Sequence, residues 1–267
     1  MKRFLQFLMI FTIFLFALTG CSSQDPSSKP SSEDKNTFTV GFDSNFPPFG
    51  YIGTDGEYTG FDIEMAKEVA TRNNWELKLQ PIDWDSKDLE LESGNIDCIW
   101  NGFTINGRED DYTWTDAYMD NSQVVVVKKS SGIASLKDLA GKIVTAQTDS
   151  AALNALKSDD FVDLTSSFKD LVVCSQYNAA FMDLEAGAVD AIAMDIGVAK
   201  YQIEGRADEF LILDEEIVKE QYGVGFKLGN TELRDNVQAT LMDMVEDGTF
   251  EEISNKWFGY NVSTLGN

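Results

Sequence analysis

The sequence contains no histidine. That excludes imidazole acid–base chemistry and removes the commonest zinc ligand. Basic residues are few, 21 against 45 acidic, for a formal net charge of −24. Nucleic acid is thereby excluded as a partner, because phosphate binding needs a cationic surface. The imbalance bears on solubility and association, not on the fold or on the sign of a ligand. Apolar runs are also short. The longest, Phe4 to Leu18, is broken by Gln6 and Thr12 and falls below the roughly 20 residues of a comfortable membrane span. Cysteine is limited to Cys21, Cys98 and Cys174.

The short apolar run has a reading of its own. It follows Lys2 and Arg3 and ends in Leu18-Thr19-Gly20-Cys21, a signal-peptide pattern over residues 1–20. The last four residues resemble the bacterial lipobox, in which the cysteine receives lipid and becomes the first residue of the mature chain. Residues 21–37 are rich in Ser, Pro, Lys and Asp, bury almost nothing, and read as a flexible tether.

The remaining length is enough for two compact units, and one phrase occurs twice. Residues 91–99 read Leu-Glu-Ser-Gly-Asn-Ile-Asp-Cys-Ile, and residues 184–192 read Leu-Glu-Ala-Gly-Ala-Val-Asp-Ala-Ile. Each is a helix end, a stopping glycine (Gly94, Gly187) and a short buried strand. Two copies predict two similar α/β lobes. Phe61, Met65 and Val69 recur at intervals of four on a helix over 61–71. The prolines of Asp43-Ser-Asn-Phe-Pro-Pro-Phe49 forbid continuation of strand or helix. The valine run 124–127 and the stretch 222–226 read as crossings between lobes. Lobe one then holds 38–123 and 223–267, and lobe two holds 124–222. Cys98 and Cys174 fall in different lobes, which predicts two buried thiols; a disulfide remains the alternative in an oxidising compartment.

In open α/β sheets ligands bind beyond the carboxyl ends of the strands. Here that predicts a cleft lined by residues 43–49, 84–85, 101–108, 146–151 and 194–195. Gly102 and Asp195 occupy equivalent places in the two copies. Arg108 is a forked donor suited to a carboxylate. The helix opening after Ser150 offers N–H groups to an anion, and Asp195 offers an acceptor to an ammonium group. Phe46, Phe49 and Trp84 offer flat apolar walls. The set describes a pocket for a zwitterion. No nucleophile–base pair, cofactor motif or metal-ligand cluster stands out. Each residue also has a purely structural reading: Arg108 neutralising Glu109, Asp110 and Asp111, Asp195 capping a helix, Thr104 favouring a strand, and the aromatics filling the core.

These residues are similar to those of bacterial solute-binding proteins that deliver polar amino acids to ABC transporters. The resemblance rests on residues 43–49, Gly60-Phe61-Asp62, Ser93 to Asp97, Gly102-Phe-Thr-Ile105 with Arg108, residues 136–141, Asp190 to Asp195, Tyr222-Gly223 and Lys256-Trp-Phe-Gly259. It implies a two-lobed periplasmic-binding-protein-like fold of type II, two Rossmann-like α/β lobes joined by a two-strand hinge. It further implies that Arg108, Thr104 and Ser150 hold a ligand α-carboxylate, and that Asp195 and the Gly102 carbonyl hold its ammonium. Phe46 and Trp84 would sandwich the side chain, with Asp43 reading a polar tip. Two departures stand out. Thr104 and Arg108 are four positions apart where many relatives have five. Asp149 stands where relatives often have glycine, so its carboxylate must turn away from the ligand. No second cation is evident beside Arg108, which favours neutral polar, cystine-like or basic ligands over acidic ones. The expected protein is a monomeric, lipid-anchored receptor on the extracellular face of the cytoplasmic membrane, partnered by a permease, and not an enzyme. A dehydratase-like enzyme on the same fold and a ligand-sensing module are the alternatives.

Overall fold

A computed structural model describes residues 37–266. The expected signal peptide at 1–20, the expected lipidation site Cys21 and the expected tether at 21–37 lie outside the described residues, except that Thr37 opens the first strand, Thr37–Phe42.

Two separate sheets repeat one topology. In the first, Thr37–Phe42 lies between Glu76–Pro81 and Cys98–Ile99, all parallel, and Gly225–Phe226 and Thr113–Trp114 extend the edge by antiparallel pairing. In the second, Ile143–Gln147 lies between Asp170–Cys174 and Ala191–Asp195, again parallel, and Met119–Lys128 joins antiparallel. In each lobe, strand order reverses beside the lobe's first strand. That reversal leaves a crevice at the carboxyl ends, where ligands bind in such sheets.

The repeated phrase builds the same device twice. Gly94 and Gly187 end their helices at φ 77° and 78°, in the left-handed region that glycine enters without a Cβ penalty. Three residues later Asp97 accepts the backbone N–H of Thr39 at 2.7 Å, and Asp190 accepts that of Ile143 at 2.8 Å. Each aspartate thus ties the third strand of its lobe to the first, which fixes where both strands end.

The helix Phe61–Arg72 buries Phe61, Met65 and Val69 as the periodicity predicts. It packs on the C-terminal helices Thr231–Glu246 and Thr249–Phe258; the Phe61 ring lies 5.9 Å from that of Phe250 and 5.1 Å from that of Phe258. The segment after Asp43 departs from a plain loop. Asn45–Phe46 forms a two-residue strand against Gly50–Ile52 before Pro47 ends it.

The valines 124–127 are not a crossing. They are the centre of Met119–Lys128, paired with Ala191–Met194 and buried on both faces. A run buried on both sides reads as continuously apolar, and so does a connecting strand. The chain passes between the sheets nearer residues 115–119 and returns at 222–225. There Tyr118 N–H donates to Tyr222 O at 2.9 Å and Thr115 N–H donates to Val224 O at 3.1 Å. The two passages therefore brace each other, a geometry suited to a hinge. Cys98 and Cys174 are free thiols in separate sheets.

Candidate functional site

One cavity of about 300 Å³ lies between the carboxyl ends of the two sheets. The first lobe lines it with Phe46, Trp84, Asn101, Gly102, Thr104 and Arg108, and the second with Gln147, Ser150, Ala151 and Asp195. Seven of the nine predicted ligand residues meet there. Phe49 does not. It is wholly buried in the core beneath, edge-on to Tyr222 at 5.3 Å, where a neighbouring turn gives an aromatic its ordinary role. Asp43 lines an adjoining cavity of about 550 Å³ with Ile82, Asp83, Trp84, Asp85, Thr148, Ser175 and Gln176. Its Oδ1 accepts the N–H of Asn45 and its Oδ2 accepts Gln147 Nε2, both at 2.8 Å. Burial raises its pKa above the usual carboxylate value, against those hydrogen bonds.

At one end of the cavity Arg108 is held on several sides. Its Nη1 donates to the Thr104 carbonyl at 3.2 Å and its Nη2 to the Asp149 carbonyl at 3.0 Å. The guanidinium lies 5.2 Å over the Phe103 ring, and Trp114 Nε1 donates to the Arg108 carbonyl at 3.0 Å. The four-residue spacing from Thr104 therefore lets the arginine reach across to the second lobe. Burial lowers its pKa from the ordinary arginine value. Opposite it, Ser150 caps the helix Ala151–Lys157, its Oγ accepting Leu153 N–H at 3.1 Å. Asp149 sits at φ 57° and turns its carboxylate outward to Lys87, which is 1 % exposed. A second cation does stand near Arg108, then, but an aspartate already neutralises it. Sequence reading missed Lys87; its one signal is a lone lysine opening an otherwise acidic helix.

At the other end, Gly102 takes φ 56°, and a Cβ there would meet Phe46 Cε1 and Tyr222 Cε2 at 3.1 Å. Both the backbone sign and the space demand glycine. Its N–H donates at 2.6 Å to Asp62, whose other oxygen accepts Tyr118 Oη at 2.9 Å. Burial pushes the Asp62 carboxyl up to about 7. Asp195 Oδ1 accepts Asn121 Nδ2 at 2.9 Å, Gln123 Nε2 at 2.8 Å and Tyr222 Oη.

The Thr104 hydroxyl donates at 3.0 Å to Glu220 Oε1, while the Thr104 carbonyl accepts Arg108 Nη1. Glu220 itself was absent from the expected site. On the strand Val218–Tyr222, alternation puts it on the same buried face as Tyr222, and an acid on a buried face is a legible signal. The arrangement contains a fixed cation, a buried acid and an aromatic wall, which together suit binding of a small zwitterion.

Known proteins resemble this chain over most of its length. The family model for bacterial extracellular solute-binding proteins, family 3, matches residues 38–260. The L-cystine-binding protein TcyJ of Escherichia coli strain K12 is 30% identical over 235 residues, 86% of this chain and 86% of its own. The arginine-binding extracellular protein ArtP of Bacillus subtilis strain 168 is 28% identical, over 97% of this chain and 98% of its own. A substrate-binding protein of an ABC uptake transporter from Streptococcus pneumoniae, solved with bound histidine, superposes with a TM-score of 0.82. It is 35% identical and covers 86% of this chain and 95% of its own. The chain belongs to the bacterial extracellular solute-binding proteins of family 3.

Proposed function

We propose that the cleft binds a free L-amino acid, and that the chain, held by lipid on Cys21 at the extracellular face of the cytoplasmic membrane, presents it as a monomer to an ABC transporter permease. The observation that carries this reading is the opposition of Arg108 and Asp195 on the lining of one cavity. Arg108 has five N–H donors. Two are bonded to protein carbonyls, which leaves others for an α-carboxylate. The Ser150 hydroxyl accepts from Leu153 and so keeps its own hydrogen for the same carboxylate. Asp195 and the Gly102 carbonyl hold the α-ammonium, and Phe46 and Trp84 flank the side chain.

Beyond Trp84 the adjoining cavity carries three carboxylates, Asp43, Asp83 and Asp85. That chemistry favours a ligand with a cationic side chain. Contacts from both lobes to one ligand favour the closed arrangement by population shift. The test is mass spectrometry of the small molecule released when the purified protein is denatured. The expected finding is arginine, lysine or histidine; glutamate or aspartate would contradict the side-chain reading.

A further inference from the structure

Behind Asp195 stands a second buried carboxylate, Glu220, that no part of the binding scheme above uses. The two acids share their donors. Asn121 Nδ2 donates to Asp195 Oδ1 at 2.9 Å and to Glu220 Oε1 at 2.6 Å. Gln123 Nε2 donates to the same two oxygens at 2.8 and 2.7 Å. Sharing two amide nitrogens brings the acids close enough to repel strongly in a dry setting, and two such groups do not both ionise easily.

The surroundings offer little to offset two negative charges. The strand Met119–Lys128 contributes only the neutral Asn121 and Gln123. The strand Val218–Tyr222 contributes Tyr222, and the helix Tyr177–Ala186 contributes Tyr177, both phenols. From the first lobe come the Thr104 hydroxyl and Arg108, whose charge acts on both acids through space while its Nη1 and Nη2 donate to carbonyl oxygens. Lys219, Glu216 and Asp120 line an outer cavity of about 890 Å³ behind the hinge, which Glu220 also borders. Two further atoms want a proton donor: Asn121 Oδ1 and Gln123 Oε1 are buried with no partner. Burial pushes the Glu220 carboxyl up to about 7, with the charge of Asp195 adding to the shift, and burial raises Asp195 as well.

We propose that Asp195 and Glu220 hold one proton between them in the empty cleft and release it to solvent when a ligand's ammonium group takes the site. Capture of the amino acid is then an exchange of one cation for another. The proton leaves by way of Glu220 and the outer cavity, and the ammonium arrives from the cleft. The pair does not depend on closure. Its two acids and both amides lie on three paired strands of one sheet, where Asp195 pairs with Gln123 and Glu220 with Asn121. Thr104 and Arg108 approach the pair from the other lobe. The proposal rests on the ammonium assignment made above.

Calorimetric titration of the purified full chain with L-arginine, in buffers of low and high ionisation enthalpy at about pH 7, reads the protons released per ligand. The expected result is roughly half a proton or more, with affinity rising up to about tenfold per pH unit on the acid side. Glu220→Gln should cut the release severalfold and flatten the pH profile. Tight binding with a buffer-independent enthalpy in the unaltered protein, or unchanged release in Glu220→Gln, would overturn the proposal. Infrared spectroscopy of the ligand-free protein should show a protonated-carboxyl band at neutral pH that disappears on adding L-arginine. A band that is absent, or that persists with ligand bound, also counts against it. If no free amino acid binds, the functional reading fails on its own, and the band still decides whether the pair holds its proton.

Discussion

Lys87 of the first lobe and Asp149 of the second form an ion pair across the cleft, and Lys87 is almost wholly buried in it. The pair unites two irregularities: an aspartate with left-handed backbone just before the Ser150 helix cap, and a lysine at the start of an acidic helix. The lysine pairs with the aspartate's carboxylate while Arg108 bonds only its backbone carbonyl. Because the partners belong to different lobes, the contact also favours the closed arrangement.

Replacing Lys87 with Met should therefore weaken ligand binding, by roughly 5- to 50-fold, chiefly through faster release, because Asp149 is left without its partner. Asp149→Asn alone should cost less, and the double variant should recover part of the loss. Stopped-flow tryptophan fluorescence, to which Trp84 on the cavity wall contributes, would measure the release rates. Additive losses would show that the two side chains do not act together.

Gly102→Ala should destabilise the ligand-free protein by about 1–3 kcal/mol, since both the positive φ and the contacts with Phe46 and Tyr222 oppose a methyl group. Ligand affinity should fall as well, because Gly102 lines the cavity beside Phe46 and a shifted turn would alter that wall. Urea denaturation with and without ligand separates the two effects.

Stability should depend on pH in a definite direction. Asp62 and Glu220 have carboxyls raised to about 7. A carboxyl raised on folding contributes stability that is fully present below its unfolded value of about 4 and is lost as pH rises through about 7. The ligand-free protein should thus lose on the order of a few kcal/mol between pH 5 and pH 8 from these groups. Chemical denaturation at several pH values checks this; increasing stability over that interval would contradict it.

Asp43→Asn should reduce affinity for ligands with a cationic side chain about tenfold while changing affinity for neutral ones little, if the adjoining acidic cavity receives the side chain. Competition binding between L-arginine and L-glutamine would show the difference.

Much of this was legible in the chain. The duplicated phrase carried both the two-lobe architecture and the strand ends, because a glycine cap acts locally and the aspartate three residues beyond it recurs in both copies, although the strand N–H it accepts is distant in sequence. Arg108, Gly102 and Asp195 followed from those ends. The hinge was misplaced because a valine run buried on both faces looks like any extended apolar segment. Phe49 was misassigned because proximity to a turn does not say which way a ring points. Lys87 and Glu220 were missed for a different reason. Their partners, Asp149 and Asp195, are distant in sequence and meet them only through tertiary structure, so a lone lysine and a buried-face glutamate mark a position without naming what it meets.

If Arg108 and Asp195 hold the two charged ends of a free amino acid, each charged group of the ligand is needed. Calorimetric titration with the amino acid released from the purified protein, beside its decarboxylated and its N-acetylated derivatives, measures this. Loss of either charged group should weaken binding by about 100-fold or more, as expected when a buried charge loses its partner. Equal affinity for either derivative would contradict it.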